Sequence, residues 1–345
     1  MAATQKALVV TAPGKLVQVD DWPVPEPGAD EVQVKVSVAG INPHDEKARD
    51  WLLFIQDDLP AVVTNDVVGT VTKLGPGVTG LAVGDRVVYQ PGFTPGSRQN
   101  GLQEYAVADT FALAKIPDSV TDDEAATLPT NIIAPLVALF ETLQIPAPWS
   151  PAARDFDYAG TSLLVVGGGT NCGRFGVQLA KLAGIGRIVV VGGDEKELKS
   201  YGATHVIDRH AGYDTILSRI RDVVGDDLLY AFDTINPVEG LPLGLNALSS
   251  HKKGALARLL PRGDVDASKV VGKKAGYDVR GVFGSSHQYP ELAKGFWARV
   301  PEYLESGQIK PLGYVVKEGL RAENVNEVMD AYRDGKRVTK THIHL

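Results

Sequence analysis

Cysteine is nearly missing from this 345-residue chain: Cys172 is the only one, so no intrachain disulfide can form. Such economy agrees with a reducing compartment. Histidine is sparse as well, with seven residues that are scattered apart from the pair His342 and His344, which reads as an ordinary chain end. Neither sign of charge is blocked; the net charge of −7 is spread along the chain, which argues against nucleic acid or an anionic membrane as a partner. No apolar run is long enough to span a bilayer, the longest being "IIAPLVALF" at 132–140. The opening "MAATQKALVV" lacks the basic segment, apolar core and cleavage site of a secretory signal. A cytoplasmic protein acting on a small molecule is therefore expected, with a homodimer as the assembly allowed for.

What is present points to two domains, since 345 residues at 44% hydrophobic content can bury two cores. Up to about residue 125 the chain is rich in valine, proline and glycine, with short alternating runs such as "EVQVKVSVAG" and "DRVVYQ" between turn signals. That texture predicts an all-β domain. Thr121 or Asp122 then caps a helix, a second helix starts from Pro129, and a proline-rich loop, "IPAPWSPAARDFDYAG", follows. From Leu163 strands and helices alternate: "SLLVVG", "RIVVVGG", "THVID", "LLYAFDTI", "ALARLL" and "VRGVFG" as strands, with helices between. Phe175, Leu179 and Leu182 mark the apolar face of one helix; Ile216, Ile220 and Val223 mark another. The alternation predicts an α/β, doubly wound parallel sheet. Two more helices and the strand "KTHIHL" close the chain and are expected to return to the first domain.

The line "LLVVGGGTNCGRFGVQLAKLAG" at 163–184 has the strand, glycine turn and helix of a nucleotide-binding unit without spelling G-x-G-x-x-G. A helix N-terminus at the carboxyl end of a parallel strand favours a pyrophosphate. Gly167, Gly168 and Gly169 allow close approach of backbone to phosphate, and Gly173 allows helix to pack on strand; a plain tight bend is the alternative. An NAD site would place a carboxylate at the end of the second strand, where this chain has Gly192-Gly193. Asp194 comes late, followed by Lys196 and Lys199. This favours the 2′-phosphate of NADP, although Asp194 is equally a helix cap and the lysines equally solvated residues.

Several motifs in order resemble the medium-chain dehydrogenase/reductase superfamily: "GINPHD" at 40–45, "NDVVGTVTKLGPGV" at 65–78, "GDRVV" at 84–88, "LQEY" at 102–105 and "VVGGGTNCG" before "QLAKLAG". The resemblance implies a GroES-like β domain, residues 1–128 and 290–345, and a Rossmann domain, 129–289. Zinc members carry a cysteine and a histidine where this chain has Asn42 and Asn65, and "QPGFTPGSRQNG" lacks the cysteines of their structural lobe; catalytic zinc, which needs three or four convergent ligands, is not expected. Asn-Pro-x-Asp is similar to the zinc-free quinone and enoyl reductases, and the run 42–47 to fungal trans-acting enoyl reductases.

What this resemblance implies is hydride transfer from NADPH to an enone, an enoyl thioester or a quinone. Alternatives are a metal-free carbonyl reductase or alcohol dehydrogenase, and a non-catalytic NADPH-binding protein. The catalytic candidates are Lys47, matched to a lysine of the trans-acting reductases, His44 as a proton relay, and Tyr105 as a donor to an enolate. Loop and core roles compete for each; Asp45 is read as orienting the loop, and Asp66 as structural. The cofactor shell is mapped to Pro43, Gly168, Gly169, Thr170, Asn171, Cys172, Gly173, Gly192, Gly193, Asp194, Lys199, Arg209, Thr234, Phe283 and Lys340. Where relatives place a threonine near the nicotinamide this chain has Ala134, and Thr130 or Asn131 is the substitute. Cys172 is read as a cofactor-shell residue and not a nucleophile, because a bound pyrophosphate would oppose its ionisation.

Overall fold

The computed structural model describes residues 3–56, 58–92, 97–259 and 263–345, and the chain divides into two compact units. The first comprises 1–130, 285–307 and 311–345, and the second 131–284 with 308–310.

In the first unit, valine-rich alternating segments form a seven-stranded sheet in the order Tyr314–Glu318, Lys340–His344, Glu31–Ile41, Asp66–Leu74, Arg86–Tyr89 and Leu113–Lys115, with Tyr105–Asp109 also paired to Glu31–Ile41. A smaller sheet joins Lys15–Pro23, Thr4–Ala12 and Ala61–Val62. Alternation puts Val32, Val34 and Val36 on one buried face with Val67, Val71 and Val87. The closing strand runs antiparallel to Glu31–Ile41, pairing Thr341 with Ile41, so the last residues complete the sheet begun by the first domain. The edge strand Tyr314–Glu318, which carries no clear signal in the sequence, pairs parallel to it.

One helix of this unit, Pro43–Trp51, positions the "NPHDEK" run. Pro43 takes the first helical position, where its missing N–H costs nothing, and the Asp45 carboxylate reaches back to the Asn42 N–H at 2.7 Å. Arg49, 2% exposed, fastens the helix to Ala322–Arg333 through Asp330 at 2.8 Å and Asn326 at 3.0 Å.

The second unit is a six-stranded, wholly parallel sheet in the order His205–Ile207, Arg187–Val191, Ser162–Val166, Tyr230–Asp233, Gly254–Arg258, Tyr277–Gly281. The strand order reverses between Ser162–Val166 and Tyr230–Asp233, the switch point at which such sheets take ligands. Phe175 and Leu179 bury the face of the helix Asn171–Ala183 as its periodicity predicts, while Leu182 is only half-buried and Ala183 is buried instead. In Tyr213–Val224 the third deeply buried position is Val224 and not Val223: the buried residues are spaced by four, and each such step turns about 40° further, so the stripe winds round the helix.

The apolar run at 132–140 belongs to a longer helical stretch than its composition suggests. Asp122–Thr142, 21 residues, has the length and hydropathy of a membrane span. Most of it is buried: 83% of its most apolar window lies inside the protein, as in a core helix.

Candidate active site

In the second unit the glycine turn links the first strand to the helix Asn171–Ala183. Thr170 caps that helix, its hydroxyl accepting from the Gly173 N–H at 2.9 Å. Thr234, at the end of the fourth strand, donates to the carbonyls of Val166 and Gly167, each at 3.0 Å, and its oxygen lies 2.9 Å from that of Thr170. Two hydroxyls thus tie the switch point together.

The glycines are demanded by packing. A Cβ on Gly173 would collide with the carbonyl of Gly167, and Gly193, at φ +99°, lets the turn of the second strand press on Gly168 and Gly169. A Cβ on Gly169 would lie 3.2 Å from the Gly193 Cα. Gly169 remains exposed, and Asn171 and Cys172 in the first helical turn are partly exposed. The turn therefore presents backbone and a positive helix end to solvent, which fits a pyrophosphate.

At the end of the second strand, Asp194 caps the helix Glu195–Tyr201 and accepts from the Glu197 N–H at 2.8 Å. Lys199 pairs with Glu195 at 2.7 Å, one turn away on the same helix. The arginine Arg209 lies beside Gly192, whose added Cβ would sit 3.4 Å from the Arg209 Cδ. Phe283 is exposed just after the last strand of the sheet. Arg174, which the sequence reading passed over, bridges the glycine-turn helix to Glu197 at 3.0 Å.

In the first unit a polar centre is built around Asp66, which is fully buried. Its carboxylate accepts from the Thr130 N–H at 2.6 Å, from the Asn42 amide at 2.8 Å and from the Lys340 ammonium. Lys340, also buried, donates besides to the Asn42 Oδ1 at 3.0 Å and the Ile41 carbonyl at 3.3 Å. A Cβ on Gly40 would come within 2.8 Å of that ammonium, so the strand needs glycine there. Burial opposes the charge on Asp66, yet Lys340 and the hydrogen bonds outweigh it and hold the carboxyl below its ordinary range. Lys340, mapped by resemblance to the cofactor pocket, is thus committed to a structural ion pair. The Thr130 hydroxyl is buried with no hydrogen-bond partner.

Beside this centre His44 and Asn65 meet, with 3.1 Å between Nε2 and Oδ1, and the Asn65 amide donates to the Pro91 carbonyl at 3.1 Å. Asp45 Oδ1 is 3.4 Å from the same imidazole nitrogen. Burial pushes the Asp45 carboxyl up, against the opposing pull of His44 and the Asn42 N–H. These groups share a recess with Ala48, Leu53, Phe54, Ile55 and Val63, half polar and half apolar. Lys47 points elsewhere, to Glu46 at 3.2 Å and over the Trp51 ring at 5.6 Å. Tyr105 is half-buried at the start of its strand, with its backbone held by Gln5 at 2.6 Å.

Asn42 and Asn65, where zinc members have cysteine and histidine, are therefore occupied as hydrogen-bonding amides. Among the described residues, no three or more His, Cys, Asp or Glu side chains converge as a metal site. The donors do not fit zinc: one carboxylate is neutralised by a buried lysine and two amides are engaged.

The chain matches the family described as alcohol dehydrogenase GroES-like domain over residues 28–118 and that described as zinc-binding dehydrogenase over 172–296. It is 32% identical to trans-enoyl reductase resD of Aspergillus sclerotiorum, across 91% of this chain and 92% of that protein. An alcohol dehydrogenase superfamily protein from Novosphingobium aromaticivorans superposes with a TM-score of 0.79 at 23% identity, covering 99% of each chain. Mycobacterial Rv1454c, solved in complex with NADPH, gives 0.73 at 23% identity, covering 99% of this chain and 100% of that one. The chain belongs to the medium-chain dehydrogenase/reductase superfamily and is an oxidoreductase. Within it, similarity to the trans-enoyl reductases puts the chain in the enoyl-reductase-like branch.

Proposed function

We propose that this protein is a zinc-independent, NADPH-dependent reductase of an activated C=C bond, as in an enone or enoyl thioester, or of a quinone. The observation that carries this reading is the polar centre of the first unit, where Asn42, Asn65 and the Asp66–Lys340 pair replace a zinc-binding set. The relatives named trans-enoyl reductases support the acceptor class.

Bound NADPH supplies the hydride. The chain's own part is to hold the cofactor and manage the proton. Backbone N–H groups of the Thr170-capped helix face the pyrophosphate, with Thr234 fixing the turn. Arg209 beside Gly192 pairs with the 2′-phosphate, the role Lys199 is less suited to because Glu195 already neutralises it. Thr130, with a buried hydroxyl lacking a partner, donates at the nicotinamide end. His44 delivers the proton to the carbon or oxygen that becomes negative, while Lys47 is held by Glu46 and Trp51 on the same helix.

The test is NADPH oxidation against enones, enoyl thioesters, quinones and aldehydes, before and after treatment with a strong chelator. Turnover that survives chelation is expected. Tight NADPH binding with no acceptor turned over would leave a binding protein, and activity lost to the chelator and restored by zinc would overturn the metal-free reading.

A further inference from the structure

We propose that Asn65 and Asp45 are positioning residues that fix the tautomer of His44, so that Nε2 carries a hydrogen at all times and Nδ1 is the nitrogen that gains and loses the proton. Pro91 sets the orientation of the Asn65 amide. Its carbonyl can only accept, so the Asn65 amide turns its NH2 toward it, at 3.1 Å, and must turn its oxygen toward His44. An amide oxygen 3.1 Å from Nε2 requires hydrogen on Nε2.

A second acceptor stands on the same nitrogen. Asp45 Oδ2 is used by the Asn42 N–H at 2.7 Å, while Oδ1 is buried without a hydrogen-bond partner and lies 3.4 Å from His44 Nε2. Two oxygens facing Nε2 leave a lone pair there no room in either charge state. The charged groups near the imidazole are Asp45 and Asp58 of the recess, with Lys340 and Asp66 behind Asp45 and the Glu46–Lys47 pair on the same helix.

The tautomer stands on this geometry alone; its use in catalysis rests on the reading proposed above. In that use the Nδ1–H bond breaks, its proton joins the enolate carbon, and the bonding pair stays on Nδ1. The product imidazole is already the Nε2–H form that Asn65 accepts from, so no side chain has to rearrange.

The experiment is a long-range 15N–1H spectrum of the full chain labelled at its seven histidines, with His44 assigned by loss of its signals in His44→Gln. A protonated Nε2 and a bare Nδ1 are expected for the neutral ring. A protonated Nδ1 with a bare Nε2 in the wild-type protein overturns the proposal, with no variant needed. Asn65→Leu is expected to give a tautomer mixture and to lower kcat about tenfold at unchanged KM for NADPH, a part of the usual contribution of a general acid. Unmixed Nε2–H in Asn65→Leu contradicts the positioning role. Full activity of His44→Gln with the expected wild-type tautomer would remove the catalytic reading and leave the tautomer assignment in place.

Discussion

Lys340 and Asp66 lie 274 positions apart and form a buried ion pair that joins the closing strand to the strand Asp66–Leu74. Asn42 and Thr130 are both hydrogen-bonded to the same carboxylate. The pair therefore ties three segments of the first unit to one carboxylate, and its partners cannot be changed singly.

Removing one partner strands the other's charge in a place water does not reach. Lys340→Met is expected to destabilise the protein by about 3–5 kcal/mol, read from urea unfolding, because Asp66 is left buried and unpaired. The double variant Lys340→Met with Asp66→Leu should recover much of that loss. A double variant that loses the sum of the losses in Lys340→Met and Asp66→Leu would show that the pair is not coupled.

His342 is buried, stacked on Tyr314 at 5.0 Å and bonded to Asp123 at 2.8 Å. Burial, then the nearby Lys340 charge, pull it down to about 4 despite Asp123. The folded state thus binds fewer protons than the unfolded one between about 4 and the ordinary 6.5. His342 contributes stability above that window and loses it as pH falls through it, on the order of 3 kcal/mol. Unfolding free energies from pH 7.5 to 4.5 should show a steeper decline in wild type than in His342→Asn.

These two centres mark where sequence reading reached its limit. The caps Thr121 and Asp194 were legible because each is settled within four residues by backbone groups seeking partners. The parallel sheet was legible from the spacing of its apolar runs. Asp66 and Lys340 each open a strand, but nothing local says that they meet. His342 and His344 looked like an ordinary chain end for the same reason: Asp123, which bonds both, is over 200 residues away. Arg209 was mapped to the cofactor shell by resemblance alone, and folding brings it beside Gly192.

At the glycine turn, Thr234→Val removes one donor from the carbonyls of Val166 and Gly167 and the neighbour of the Thr170 hydroxyl. A loss of about 1–3 kcal/mol in stability is expected. The rise in Tm on adding saturating NADPH should shrink with it, since the turn that meets the pyrophosphate loosens. An unchanged NADPH-induced shift would separate Thr234 from cofactor binding.

Cofactor choice is read from Arg209. Because the residue is exposed, Arg209→Ala should leave Tm nearly unchanged while weakening NADPH about tenfold in fluorescence titrations. NADH, which has no 2′-phosphate, should bind the variant and the wild type alike. Equal weakening of both cofactors would contradict a 2′-phosphate contact.

The central claim is reduction of a conjugated carbon–carbon bond, and the position of the transferred hydrogen decides it. With NADPH deuterated at the transferable C4 position and an enoyl thioester as acceptor, mass spectrometry and NMR of the product should find one deuterium on the β-carbon and one solvent hydrogen on the α-carbon. With an enone, deuterium on the carbinol carbon, and none on the β-carbon, would contradict the account and make the protein a carbonyl reductase.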